Sequence, residues 1–140
     1  DDLAAVMVRT LPAPAPGAVL VPIPLGARRL RLRGYNQSER LARALAARWG
    51  TPVAPDMLRR ARETATQTAL TPTARLANVA GAFELPKAER GMRIDSAWML
   101  VDDVFTTGAT LAEAARALAD GGATRISAIT FGRAVIPDFT

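Results

Sequence analysis

Two adjacent carboxylates, Asp102 and Asp103, stand between an apolar run, Trp98-Met99-Leu100-Val101, and a segment of hydroxyl-bearing and small residues, Thr106-Thr107-Gly108-Ala109-Thr110. Paired acids accept hydrogen bonds from two neighbouring sugar hydroxyls. Small residues at a helix start let unpaired backbone N–H groups approach a phosphate, and threonine hydroxyls add donors around the same point. Acids for hydroxyls beside a loop for an anion suggest a site for a sugar phosphate. A second anion-facing stretch comes earlier, where Pro22-Ile23-Pro24-Leu25-Gly26 is followed by Arg28, Arg29, Arg31 and Arg33. Arginine is the side chain best shaped for bidentate phosphate contacts.

Positioning these groups requires a strand, a loop and a helix in that order. Trp98–Val101 predicts a buried strand that the acids end, and Leu111, Ala114, Ala115 and Leu118 recur at helical spacing after the loop. Gly121-Gly122 closes that helix, and Ile126, Ala128, Ile129 and Phe131 predict a final buried strand. The second half therefore reads as strand–helix–strand, with a right-handed crossover expected. In the first half, residues 2–9 predict a short helix with Leu3, Val6 and Met7 on one side, broken by the proline-rich run from Leu11 to Gly17. Ala18–Val21 predicts a buried parallel strand, and Pro22–Gly26 a loop, because two prolines remove two backbone donors. The arginine cluster reads as a rim beside that loop. Asn36 and Glu39 predict a capping box for a helix that places Leu41, Leu45 and Trp49 on one face.

Val53–Leu58 is a short edge-strand candidate, and Arg59–Thr68 runs polar and basic without clear periodicity, as an exposed hairpin or loop would. Thr71-Pro72 predicts a helix start carrying Arg75, Leu76 and Val79. Ala82–Leu85 predicts another short strand, followed by a polar connector over Pro86–Ser96.

Composition sets the class. The chain has 140 residues, 49% apolar and 22% charged, the balance of one globular domain. No stretch approaches the ~20 consecutive apolar residues of a membrane span, and no basic signal-like segment opens the sequence, so the expected location is cytoplasmic. Cysteine and histidine are both absent, which removes disulfides and thiolate metal sites. A formal charge of +5 favours anionic partners, and Lys87 is the single lysine among 18 basic residues.

The run from Trp98 to Thr110 resembles the signature of the type I phosphoribosyltransferases, proteins that use phosphoribosyl pyrophosphate (PRPP). The resemblance implies an α/β fold with a central, mainly parallel sheet flanked by helices. It implies that Asp102 and Asp103 hold the ribose hydroxyls, and that the loop Thr106, Thr107, Gly108, Ala109 and Thr110 holds the 5′-phosphate. It further implies that Ile23, Pro24, Leu25 and Arg33 face the pyrophosphate. Mg²⁺ would arrive with PRPP and be held through ligand oxygens, with Asp102 and Asp103 as the nearest protein donors.

A closer resemblance spans most of residues 18–133. Val21–Leu25, Arg33–Glu39, Leu41-Ala42, Arg59 with Thr66-Gln67-Thr68 and Leu70, and Arg75 with Asn78, Ala82 and Phe83 are similar in order and spacing to the ComF branch of this fold. That resemblance implies one phosphoribosyltransferase-like domain over residues 1–140, with a helix and proline-rich lead-in over 1–17 and a lid loop over 59–71. Arg59, Arg62, Thr66, Gln67 and Thr68 are expected on the lid or acceptor side. Many members carry an N-terminal four-cysteine zinc module, which this cysteine-free sequence lacks. The family is linked to natural competence, so single-stranded DNA and competence-machinery proteins are the partners implied.

Two functions of different class follow. One is a phosphoribosyltransferase acting on a nitrogen acceptor; the other is a non-catalytic adaptor or sensor that binds a sugar phosphate and single-stranded DNA or competence partners. No catalytic base can be assigned from the sequence. A Walker-type ATPase is excluded, because Lys87 follows Pro86 and no G-x-x-x-x-G-K-[ST] loop precedes the acids. With few aromatic platforms, any DNA contact is expected to be mainly electrostatic.

Overall fold

Alternation of apolar side chains along two strands divides the core. A computed structural model of the chain describes residues 2–62, 71–86, 96–105 and 108–133. Strand β1 (Val19–Pro22) pairs in parallel with β4 (Ala97–Phe105), which pairs in parallel with β5 (Arg125–Arg133). Val19, Val21, Trp98 and Leu100 join one apolar cluster, whereas Leu20 and Val101 join another. A strand with both faces covered must be apolar almost throughout, hence the unbroken runs in β1 and β4.

One face is covered by α3 (Gln37–Trp49), through Leu41, Ala42 and Leu45, with Ala4 and Met7 of α1 (Asp2–Thr10) behind it. The other is covered by α5 (Ala109–Asp120), through Ala114, Ala117 and Leu118, together with Val79 of α4 (Pro72–Val79). Phe83 joins that cluster from an antiparallel pair formed by β2 (Arg59–Arg60) and β3 (Phe83–Glu84). The arrangement is α/β, a parallel sheet between helical layers, consistent with the phosphoribosyltransferase-like fold. Thr71 caps α4 by accepting from the Ala74 N–H at 3.2 Å. Among the described residues, no helix is long and apolar enough to cross a membrane.

Several local expectations are revised. The acids do not end β4: Asp102 pairs with Thr130 and Phe105 with Arg133, so β5 supplies backbone partners beyond the carboxylates. The final strand is not buried; Ser127 and Ala128 are exposed and Phe131 is 48% exposed. Within α1, Leu3 and Val6 stay exposed while Ala4 and Met7 pack inward.

The arginine-rich rim is a helix, α2 (Ala27–Arg33), ended by Gly34 at φ 86, whose N–H bonds to the Leu30 carbonyl. Arg and Leu are good helix formers, and no proline or glycine interrupts them. The capping box is half formed: Asn36 accepts from the Ser38 N–H, but Glu39 pairs with Arg43 instead of reaching back. Of Val53–Leu58, only Val53 bridges β1, in parallel with Leu20. The proposed lid is described only at residues 59–62 and 71, and β2 forms part of it. Thr66, Gln67, Thr68, Thr106, Thr107 and most of the 86–96 connector lie outside the described residues.

Candidate functional site

Parallel strands place the ends of β1 and β4 at one edge of the sheet, where ligands of open α/β sheets bind. The Ile23 N–H donates to the Val101 carbonyl at 2.9 Å, so the loop beginning at Ile23 runs beside β4 just before Asp102. Its carbonyls are anchored from two sides: Asn36 Nδ2 donates to Ile23 O at 3.0 Å, and Arg60 Nε to Pro24 O at 3.1 Å. Prolines 22 and 24 have no N–H of their own, leaving carbonyls for side chains to grip. Across the edge, Gly108 caps α5 at φ 81, a left-handed conformation that suits glycine, and Ala109 and Thr110 open the helix. The acids, the Ile23–Leu25 loop and the start of α5 therefore belong to one rim.

Asp102 is the perturbed group of this rim. Ser38 Oγ donates to its Oδ1 at 2.9 Å, and the Asp103 N–H donates to the same oxygen at 2.9 Å. Burial pushes its pKa up from 3.8 to about 6; the Ser38 hydroxyl opposes that rise, and the neighbouring Asp103 charge adds to it. Ser38 is itself only 4% exposed, in the first turn of α3. A carboxylate held half-buried in this way is preorganised as a hydrogen-bond acceptor and titrates close to neutrality.

The arginines around this edge each have partners within the protein. A cavity of about 480 Å³ beside the Pro24-Leu25 loop is lined by Asn36, Arg59 and Arg60, among others. Arg33 donates to Gln37 Oε1 at 2.9 Å. Arg59 forms an ion pair with Glu84 across the β2–β3 pair. Arg62 donates to the carbonyls of Asn78 and Ala80, each at 2.6 Å, at the end of α4. Sequence reasoning missed Ser38, Asn36 and Arg60 as builders of the rim. Ser38 and Asn36 lay within the quoted Arg33–Glu39 motif, the signal that marked them; nothing local distinguished Arg60 from its neighbours.

No protein-family model matches the chain. Individual proteins do. DNA utilization protein YhgH of Salmonella typhi is 38% identical over 107 residues, 76% of this chain and 45% of that protein. The Escherichia coli K12 protein of the same name is 36% identical over 107 residues. Competence protein F of Haemophilus influenzae is 33% identical over 115 residues, 82% of this chain and 50% of that protein. These similarities over most of the chain support a ComF-family protein. It spans about half the length of the curated relatives it matches. Among the described residues, no three metal-ligating side chains come together. The hard oxygen donors at the rim are the adjacent Asp102 and Asp103.

Proposed function

We propose that the chain is the PRPP-binding domain of a protein serving competence and DNA utilisation, with Mg²⁺ bound alongside PRPP. The observation that carries this is the single rim on which the Asp102–Asp103 pair, the start of α5 and the Ile23–Leu25 loop converge. Asp102 and Asp103 would accept the two ribose hydroxyls, Gly108–Thr110 would hold the 5′-phosphate, and Ile23–Leu25 with the nearby arginines would face the pyrophosphate. The acid pair fits Mg²⁺ in the usual way, with one or two carboxylates supplementing substrate phosphates; bound there, the ion would neutralise charge on pyrophosphate. The reaction such a placement serves is phosphoribosyl transfer. A nitrogen would bond to ribose C1 as the C1–O bond to pyrophosphate breaks, and pyrophosphate would leave with the electron pair.

The competence role rests on the names of the relatives, and it carries a cytoplasmic location, with single-stranded DNA and competence proteins as partners. The net charge of +5 supports contact with anionic polymers.

PRPP with Mg²⁺ at about 100 times its Kd is expected to stabilise the protein by about 2.7 kcal/mol, read as a rise in melting temperature. Asp102→Asn combined with Asp103→Asn should abolish that increment. A melting curve that PRPP leaves unchanged in the native protein would refute the site.

A further inference from the structure

The two halves of the rim are joined by a closed circuit of hydrogen bonds that passes through the start of α3. Asn36 caps that helix, and the two ends of its side chain point to different duties. Its Nδ2 donates to the Ile23 carbonyl at 3.0 Å, on the loop expected to face pyrophosphate. Its Oδ1 accepts from the Ser38 N–H at 3.1 Å, and the Ser38 hydroxyl donates to Asp102 Oδ1 at 2.9 Å, on the side expected to hold ribose. The circuit closes through the backbone: the Ile23 N–H donates at 2.9 Å to the carbonyl of Val101, the residue before Asp102.

A side-chain amide suits this position because it carries a donor and an acceptor, so one residue caps a helix and grips a carbonyl at once. Asn36 is half-buried and Ser38 is buried, and hydrogen bonds in series away from bulk water strengthen one another. The loop cannot shift at Ile23 without moving Asn36, and Asn36 is bonded to the residue that orients Asp102. A ligand on either side holds the circuit in one arrangement, so that ordering is already done when a second ligand arrives.

We propose that Asn36 is a positioning residue that links the two halves of the site, so that an anion on the Ile23–Leu25 loop and a sugar phosphate at the acid pair favour each other's binding. The identity of the two ligands rests on the PRPP reading; the link between loop and acid rests on the hydrogen bonds alone. Asn36→Ser tests it, because serine still caps α3 and adds no charge, but one short hydroxyl cannot serve both the Ser38 N–H and the Ile23 carbonyl. In calorimetric titrations of the full chain with Mg²⁺, saturating pyrophosphate should tighten ribose 5-phosphate binding about 5- to 150-fold, and the converse titration should give the same factor. In Asn36→Ser that factor should fall to about one, a change that lost stability alone does not produce in folded protein. Ser38→Ala cuts the same circuit at its other end and should lose the factor too.

A second readout needs no ligand. The Asp103 N–H donates to Asp102 Oδ1, on the far side of the circuit from Ile23. In Asn36→Ser its hydrogen exchange should quicken about 2- to 150-fold relative to the N–H of Leu118, a buried residue of α5. Independent binding of the two fragments to the native protein, or a factor that survives in Asn36→Ser, would overturn the proposal. So would unchanged exchange at Asp103. Quickened exchange at Asp103 in a protein that binds neither fragment would remove the PRPP reading and uphold the link between loop and acid.

Discussion

Asp102→Asn is expected to stabilise the ligand-free protein near neutral pH while removing its response to PRPP. Burial raises the Asp102 pKa from 3.8 to about 6. Between those values the native state holds more protons than the unfolded chain, so stability falls as pH rises through the window and stays low above it. At ~1.36 kcal/mol per pKa unit, the full loss is up to about 3 kcal/mol. Asparagine is neutral throughout and keeps an oxygen able to accept from Ser38 and from the Asp103 N–H.

The variant should therefore exceed the native protein by about 1 kcal/mol at pH 4.5 and by up to about 3 kcal/mol above pH 7. In a domain of this size that larger difference is roughly 6–12 °C of melting temperature. Thermal unfolding of both proteins at pH 4.5, 6 and 7.5, with and without PRPP and Mg²⁺, reads both effects. For the native protein, the PRPP increment should grow from pH 5 to 7, because the charged carboxylate is the form that accepts ribose hydroxyls. A variant no more stable than native at pH 7.5, or a gap that does not change with pH, would refute the burial argument.

Ser38→Ala removes a donor to a buried carboxylate, so it should cost about 1–3 kcal/mol above pH 6 and less at pH 4.5, measured by urea unfolding. The Asp102 titration followed by carboxyl NMR should move upward in the same variant; an unmoved titration would discount the contact. Gly108→Ala forces a Cβ onto a residue at φ 81 and should cost about 1–2 kcal/mol, with a weaker PRPP increment. Full PRPP response in that variant would dissociate the start of α5 from phosphate binding.

Much of the architecture was legible locally, because apolar runs and turn residues act over a few positions. The proline after Thr71 and the helical spacing of Leu111, Ala114 and Leu118 located their helices. Errors arose where a neighbour in space decided the outcome. β4 continues through two acids because β5 runs alongside, and β5 is exposed because, among the described residues, it is the edge of its sheet. The arginine run formed α2 although none of its residues is buried, a case where helix propensity outweighed the loop-like look of clustered charge.

By itself the sequence determined the chemistry available at the rim: an acid pair, a small-residue loop and a proline loop, each carried by adjacent residues. Only the tertiary structure decided how those groups behave. The bond from Ser38 to Asp102 joins residues 64 apart in the chain, and the half-burial that brings this carboxylate to a pKa of about 6 depends on helix and sheet packing around it. Tyr35, Asp103 and Phe131 likewise come from three separated segments to line one groove. Desolvation and convergence are set by neighbours in space, and residue order along a strand or helix carries no record of which neighbours those will be.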